Sequence, residues 1–238
     1  TVNSIPSLTV NSGAICVNDV FTITPSGANT YSINGTLANS FTVNPTITSS
    51  YSVSGTSTAG CTSTIDAVSS VTVNNLPNII GSTSKSVVCL GDSAQFNATG
   101  ANTYTWSNSV SNTGFFTPTI TSTYSVTGTD LNACVNSTTV SLVVNALPQL
   151  TVTSSNPLTC EGETFTLSVS GASTYVWATN SQTTSNITVS LTTTSLFTVS
   201  GTDASGCVTT ATIEQLVAPC SGTIAVISNV IDVSCRGK

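Results

Sequence analysis

Pro118-Thr-Ile-Thr-Ser-Thr-Tyr124-Ser-Val126-Thr-Gly128 is the stretch whose reading decides the fold. Tyr124 and Val126 are separated by single hydroxyl residues, so apolar side chains fall on one face and hydroxyls on the other. That is the period of a half-buried β-strand. A proline precedes the run and a glycine punctuates it, as strand boundaries require. The chain repeats the string at Pro45-Thr-Ile-Thr-Ser-Ser-Tyr51-Ser-Val53-Ser-Gly55 and, more loosely, at Leu191-Thr-Thr-Thr-Ser-Leu-Phe197-Thr-Val199-Ser-Gly201.

The flanks repeat as well. Cys16-Val-Asn-Asp19, Cys89-Leu-Gly-Asp92 and Cys160-Glu-Gly-Glu163 each stand before a short strand, expected over 20–24, 93–98 and 164–169. Gly27-Ala-Asn-Thr-Tyr31, Gly100-Ala-Asn-Thr-Tyr104 and Gly171-Ala-Ser-Thr-Tyr175 follow. Each copy closes on a second cysteine, at Cys61, Cys134 and Cys207. First cysteines recur after 73 (89 − 16) and 71 (160 − 89) residues, so each repeat is a small domain of its own rather than one turn of a solenoid. Asn75-Leu-Pro77 and Asn145-Ala-Leu-Pro148 end valine-rich runs with a proline, which cannot continue a central ladder and stiffens a joint. These signals divide the chain into modules at 1–76, 77–147 and 148–218, with 219–238 opening a further, truncated repeat. The expected fold class is all-β: tandem immunoglobulin-like β-sandwich modules of six or seven short strands each.

Charge is scarce: 5% of 238 residues, with three Lys or Arg against nine Asp or Glu. Threonine, serine and asparagine solvate the surface instead, a composition suited to pleated strands and turns and typical of extracellular β-proteins. Lys85, Arg236 and Lys238 are too few to track a phosphate backbone, so nucleic acid is excluded as a partner. No apolar run approaches the roughly 20 residues of a membrane-spanning helix. The chain starts and stops in mid-motif, which is the expectation for a section of something longer.

Eight cysteines and no histidine favour disulfides over zinc. Pairs within one repeat, Cys16 with Cys61, Cys89 with Cys134 and Cys160 with Cys207, lie 45, 45 and 47 residues apart and would give each thin core its own staple. Cys220 and Cys235 are left to pair with each other or with cysteines beyond Lys238.

The string Cys-x-Gly-Asp, Tyr-x-Trp, Pro-Thr-Ile-Thr-Ser-Thr-Tyr-Ser-Val-Thr-Gly-Thr-Asp and a closing Cys, best displayed by residues 89–134, resembles the immunoglobulin-like and PKD-like repeats of very long surface proteins of Bacteroidota exported by type IX secretion. The tail Asn229-Val-Ile-Asp-Val-Ser-Cys235-Arg-Gly237 is similar to a repeat of SprB-type gliding adhesins. Repeat one departs from the pattern with Ile33 where the others carry Trp106 and Trp177. The resemblance implies an extracellular, outer-membrane-attached location and a role in adhesion or gliding motility. Partners would be an external surface or polysaccharide, engaged by other parts of the parent chain, and neighbouring repeats. It also makes Ser93, in Asp92-Ser93-Ala94, a candidate O-glycosylation site. The Asn-x-Ser/Thr triplets at Asn34, Asn97, Asn136 and Asn186 are what chance supplies in so Asn- and Thr-rich a chain.

Catalytic constellations are missing from the sequence. No histidine stands beside any serine or cysteine, and no phosphate-binding glycine loop occurs. Glu161 and Glu163 alternate at a strand start and suit a solvated turn better than a glycosidase cleft. Asp19, Asp66, Asp92, Asp130, Asp203 and Asp232 are scattered singly, so no metal site and no cofactor is expected. Tyr104 with Trp106, and Tyr175 with Trp177, share a face and are expected to be core. The sequence therefore predicts a non-enzymatic adhesive stalk, with a filament subunit or carbohydrate-binding modules of a secreted hydrolase as rivals.

Overall fold

Period-two alternation becomes strand nearly everywhere in residues 2–219, the residues described by a computed structural model of the chain. The expected further repeat lies, apart from its first residue, outside the described residues, as do Cys220 and Cys235. The protein is all-β; among the described residues the one helical element is a single turn of 3-10 helix at Ser107–Ser109. Two compact units divide it, Thr1–Val144 and Asn145–Lys238.

The second repeat displays the plan. Ile80–Thr83, Ala94–Thr99 and Phe115–Phe116 form one sheet, and Val87–Cys89, Val135–Asn145, Ser122–Thr129 and Thr103–Trp106 form the other, each in that spatial order. The opening segment thus serves both sheets, first beside Ala94–Thr99 and then, past the Ser84–Ser86 corner, beside the last strand of the repeat. This is the immunoglobulin-like arrangement. The second unit repeats it with Thr151–Ser154, Thr164–Ser170 and Asn186–Ser190 facing Leu158–Cys160, Val208–Ala218, Ser195–Thr202 and Thr174–Trp177. The first repeat has the same cysteine-bearing sheet, Gly13–Cys16, Ala67–Asn74, Ser49–Thr56 and Thr30–Ile33, extended by Thr36–Leu37. Its second layer is reduced to the pairs Thr9–Val10 with Pro25–Ser26 and Phe21–Ile23 with Phe41–Val43.

Inward residues of the two layers make the cores. Phe96 lies between Trp106 and Tyr124, with ring centroids 5.3 and 4.8 Å away. Trp177 is wholly buried with Phe165, Leu167, Ile187 and Phe197. Both tryptophans find a partner for the indole N–H: Trp106 donates to Asn112 Oδ1 at 3.2 Å and Trp177 to the Thr184 carbonyl at 3.1 Å. The tryptophans are core, as expected. Ile33 occupies the same register position in repeat one. It stands opposite Val53 as Trp106 stands opposite Val126 and Trp177 opposite Val199. A shorter side chain there accompanies a smaller core cluster of Ile23, Tyr31, Ile33 and Val53.

The Gly-Ala-x-Thr-Tyr motif is a structural lock. In every copy the tyrosine hydroxyl donates to the carbonyl of the alanine three residues earlier and accepts from that alanine's N–H, at 2.7–3.0 Å. The glycine before it has φ near +100° and lies against the strand that enters the repeat, where a Cβ on Gly171 would collide with the Gln149 carbonyl. One core position in repeat three breaks the apolar pattern. Gln215, fully buried, holds the register position of Leu142, and its amide is satisfied by Ser154 Oγ at 2.7 Å and the Asn156 carbonyl at 2.7 Å.

These contacts predict graded effects, read as amide-exchange protection across residues 151–218 of the intact chain. Trp177→Ala is expected to cost about 3–5 kcal/mol by opening a cavity. Gly171→Ala should cost about 2–3 kcal/mol through backbone strain and collision, and Tyr175→Phe about 1 kcal/mol. Unchanged protection in all three variants would contradict the packing described.

Candidate functional site

Strand direction places the cysteines. In the first repeat Gly13–Cys16 runs parallel to Ala67–Asn74, with Gly13 beside Val71 and Cys16 beside Asn74, the last residue of that strand. In the third repeat Leu158–Cys160 runs parallel to Val208–Ala218 and Cys160 meets its last residue, Ala218. The other cysteine of each repeat sits in the turn that leads into this same closing strand. Cys207 immediately precedes Val208, and Cys134 immediately precedes Val135. The two cysteines of one repeat therefore lie at opposite ends of its closing strand. At about 3.3 Å per residue, the 11-residue strand Val208–Ala218 holds them some 33 Å apart. A disulfide needs Cα atoms about 4.4–6.8 Å apart.

The pairing expected within each repeat is accordingly corrected. Cys16 of repeat one is bonded to Cys134 of repeat two, with Cα atoms 5.5 Å apart and 118 residues between them in sequence. This excludes both Cys16–Cys61 and Cys89–Cys134. Cys61, expected in a disulfide, is a free thiol, partly exposed. Cys89, Cys160 and Cys207 are in disulfide linkage. The strand that ends in Cys16 delivers its thiol to the far end of repeat one, where the turn of repeat two presents Cys134. In the chain-entropy model, closing a loop of 118 residues stabilises the folded state by about 5 kcal/mol.

The turn that presents the second cysteine is built by one carboxylate. Asp130 Oδ1 accepts the N–H groups of Asn132 at 2.8 Å and Cys134 at 2.9 Å, while the Asp130 N–H donates to the Cys134 carbonyl at 3.0 Å. Asp203 treats Ser205 and Cys207 identically, at 2.8 and 2.9 Å. In repeat one a hydroxyl replaces the carboxylate, and the Cys61 N–H donates to Ser57 Oγ at 3.2 Å. The residue before each cysteine is left-handed: Gly60 and Gly206 at φ +82°, Ala133 at φ +62°. No atom lies within 4 Å of a Cβ built on Gly60 or Gly206, so glycine is used there for its backbone alone. Asp130 and Asp203, counted in the sequence as scattered, are thus loop organisers. The spacing Asp/Ser-x-x-x-Cys in all three copies was the available signal.

The remaining candidates are placed without converging. Ser93 is exposed, just ahead of Ala94–Thr99. Glu161 and Glu163 are exposed in a turn, where Glu163 Oε2 accepts from the Cys160 N–H at 3.2 Å. A groove of about 400 Å³ is lined by Gly100, Ala101, Asn102, Asp130, Leu131 and Asn132, and its one carboxylate is the loop organiser. Among the described residues no group of three or more His, Cys, Asp or Glu is gathered to hold a metal, and no helix is long and apolar enough to cross a membrane.

No protein-family model matches the chain, and no curated protein matches it. Solved structures that align with most of the chain include several tandem immunoglobulin arrays. The N-terminal eight Ig domains of Down syndrome cell adhesion molecule align over 90% of this chain at 12% identity and a TM-score of 0.42; the chain spans 36% of that structure. Titin domains I67–I69 align over 90% of this chain and 98% of theirs, at 11% identity and a TM-score of 0.41. A Ca2+-stabilised adhesin of an Antarctic bacterium aligns over 90% of this chain and 74% of its own, at 16% identity and a TM-score of 0.40. Likeness at this level carries no functional argument.

The bond between repeats is testable by pulling. In a single-molecule extension of the 238-residue chain, unfolding the first unit should release about 400 Å more chain with reductant than without, because the oxidised bond withholds the 118-residue loop. Cys16→Ser should lengthen the release seen without reductant. Equal releases in the wild-type chain would rule out the Cys16–Cys134 bond. Ala133→Gly should stabilise the same loop by up to about 1 kcal/mol, visible as slower amide exchange in residues 130–135.

Proposed function

We propose that this chain is a load-bearing section of the stalk of a long bacterial cell-surface adhesin, held outside the cell and anchored at its outer membrane. The observation that carries this reading is the Cys16–Cys134 bond, which joins one repeat to the next instead of stapling a single repeat. A bond placed there resists separation of neighbours, the failure that an array under tension meets first. The surface supports an extracellular setting: hydroxyls and amides replace charge, and disulfides persist where the environment is oxidising. Prolines at 77 and 148 stand at the joints that the sequence marks, at module limits 1–76, 77–147 and 148–218. The stalk presents a distal binding region, on other parts of the parent chain, to an external surface or polysaccharide. Ser93, exposed on the flank of repeat two, is available for O-glycosylation in such a setting.

The burial of Trp106 and Trp177 withdraws the main support for carbohydrate-binding modules. A filament built of small subunits remains the rival. The two differ in the reduced, denatured mass of the parent polypeptide sheared from the surface of the source cells. A single chain of several hundred kilodaltons is expected. A chain little larger than this one's 24.1 kDa, recovered from filaments, would overturn the stalk in favour of a polymerising subunit.

A further inference from the structure

Three turn cysteines stand at equivalent positions, and two of them are spent. Cys134 and Cys207 are in disulfide linkage and fully buried, whereas Cys61 is a free thiol and partly exposed. The turn around Cys61 is otherwise the same. The Ser57 N–H donates to the Cys61 carbonyl at 2.9 Å, as Asp130 does to Cys134 and Asp203 to Cys207, both at 3.0 Å. The one turn cysteine whose partner is described, Cys134, takes the first-strand cysteine of the repeat before it. The separation recurs in the sequence: Cys89, a first-strand cysteine, and Cys207, a turn cysteine, are also 118 residues apart (207 − 89).

We propose that Cys61 is a covalent docking site, and that it takes the first-strand cysteine of another repeat of this type in the bond that Cys134 makes with Cys16. None of the first-strand cysteines Cys16, Cys89 and Cys160 can supply that thiol, since Cys16 is bonded to Cys134, and Cys89 and Cys160 are in disulfide linkage while Cys61 is free. The partner is a repeat outside residues 2–219, either on the same polypeptide or on a separate one. The chemistry is thiol–disulfide exchange with a dithiol/disulfide oxidant, such as a CXXC oxidase or oxidised glutathione. The incoming first-strand thiolate first attacks one sulfur of the oxidant's disulfide; a mixed disulfide forms, the oxidant's own S–S bond breaks, and its other sulfur leaves as a thiolate that takes up the proton that cysteine lost. The Cys61 thiolate attacks that cysteine's sulfur, the new Sγ–Sγ bond forms, and the bond to the oxidant breaks. The oxidant sulfur that was held in the mixed disulfide leaves as a thiolate and takes up the proton that Cys61 lost. Two electrons and two protons have then passed from the two thiols to the oxidant. The proposal stands on the Cys16–Cys134 bond and does not depend on the adhesin reading.

The test is a peptide map of the parent protein from source cells, alkylated before lysis and digested with a broad-specificity protease without reduction. The Cys61 peptide is expected in disulfide linkage to a peptide of the Cys-x-Gly/Asn-Asp type, and less than a tenth of it alkylated. An alkylated Cys61 peptide, or one linked to Cys16, would overturn the proposal. Denaturing electrophoresis without reductant separates the two sources. A band at the mass of the reduced chain places the partner repeat on the same polypeptide, and a band at twice that mass places it on a second. In a Cys61→Ser parent the first-strand cysteine of the partner repeat should become alkylatable, at least tenfold above wild type, while the Cys16–Cys134 peptide pair is recovered unchanged.

Discussion

Parallel pairing between the cysteine-bearing strand and the closing strand is the constraint from which the rest of this structure follows. Gly13–Cys16 and Leu158–Cys160 each add to their sheet alongside the last strand of the repeat and run in its direction. Were either pairing antiparallel, the first cysteine would come back toward the turn cysteine of its own repeat, and a local staple would be within reach. Being parallel, it is carried to the opposite end. Cys16 accordingly bonds a cysteine of the next repeat. The direction is enforced by the short corner at residues 84–86 and its counterparts, which lets the opening segment change sheets without reversing.

The surface solves a different problem. Sheets with free edges invite pairing with other chains, and many proteins deter it with lysines at the edge. Here there is one lysine between residues 1 and 237, so another device is needed. The edges of the larger sheets are short: Val87–Cys89 and Leu158–Cys160 have three residues each, and Thr103–Trp106 and Thr174–Trp177 four. So brief a ladder offers little to a second chain. Several inner strands are much longer, at eight to eleven residues, and keep both edges paired.

Much of the fold was legible because it is written locally. Alternation at Tyr124 and Val126 gave strand and face, and the repeat supplied three copies of that signal. The fold class and the core role of both tryptophans followed from these. The cysteine pairing was not legible in the same way. Spacing of 45 residues says how much chain lies between Cys16 and Cys61, but not that the strand carrying Cys16 runs parallel to the closing strand. That fact is tertiary, and the expectation of one staple per repeat pointed to the wrong partner. Gln215 hid for a related reason. Its sequence context reads as a break in the apolar pattern, and only the arrival of Ser154 and the Asn156 carbonyl, some 60 residues earlier in the chain, makes the site tolerable for an amide.

The bond between neighbours also imposes an order on synthesis. Cys16 cannot find its partner until the turn around Cys134 has been made and shaped, 118 residues later. While it waits, the length of its own closing strand keeps it away from Cys61 as long as repeat one is folded. A repeat that has misfolded loses that separation and exposes the two thiols to each other. The Cys16–Cys134 bond can thus close in its native form only once both repeats that carry it have folded.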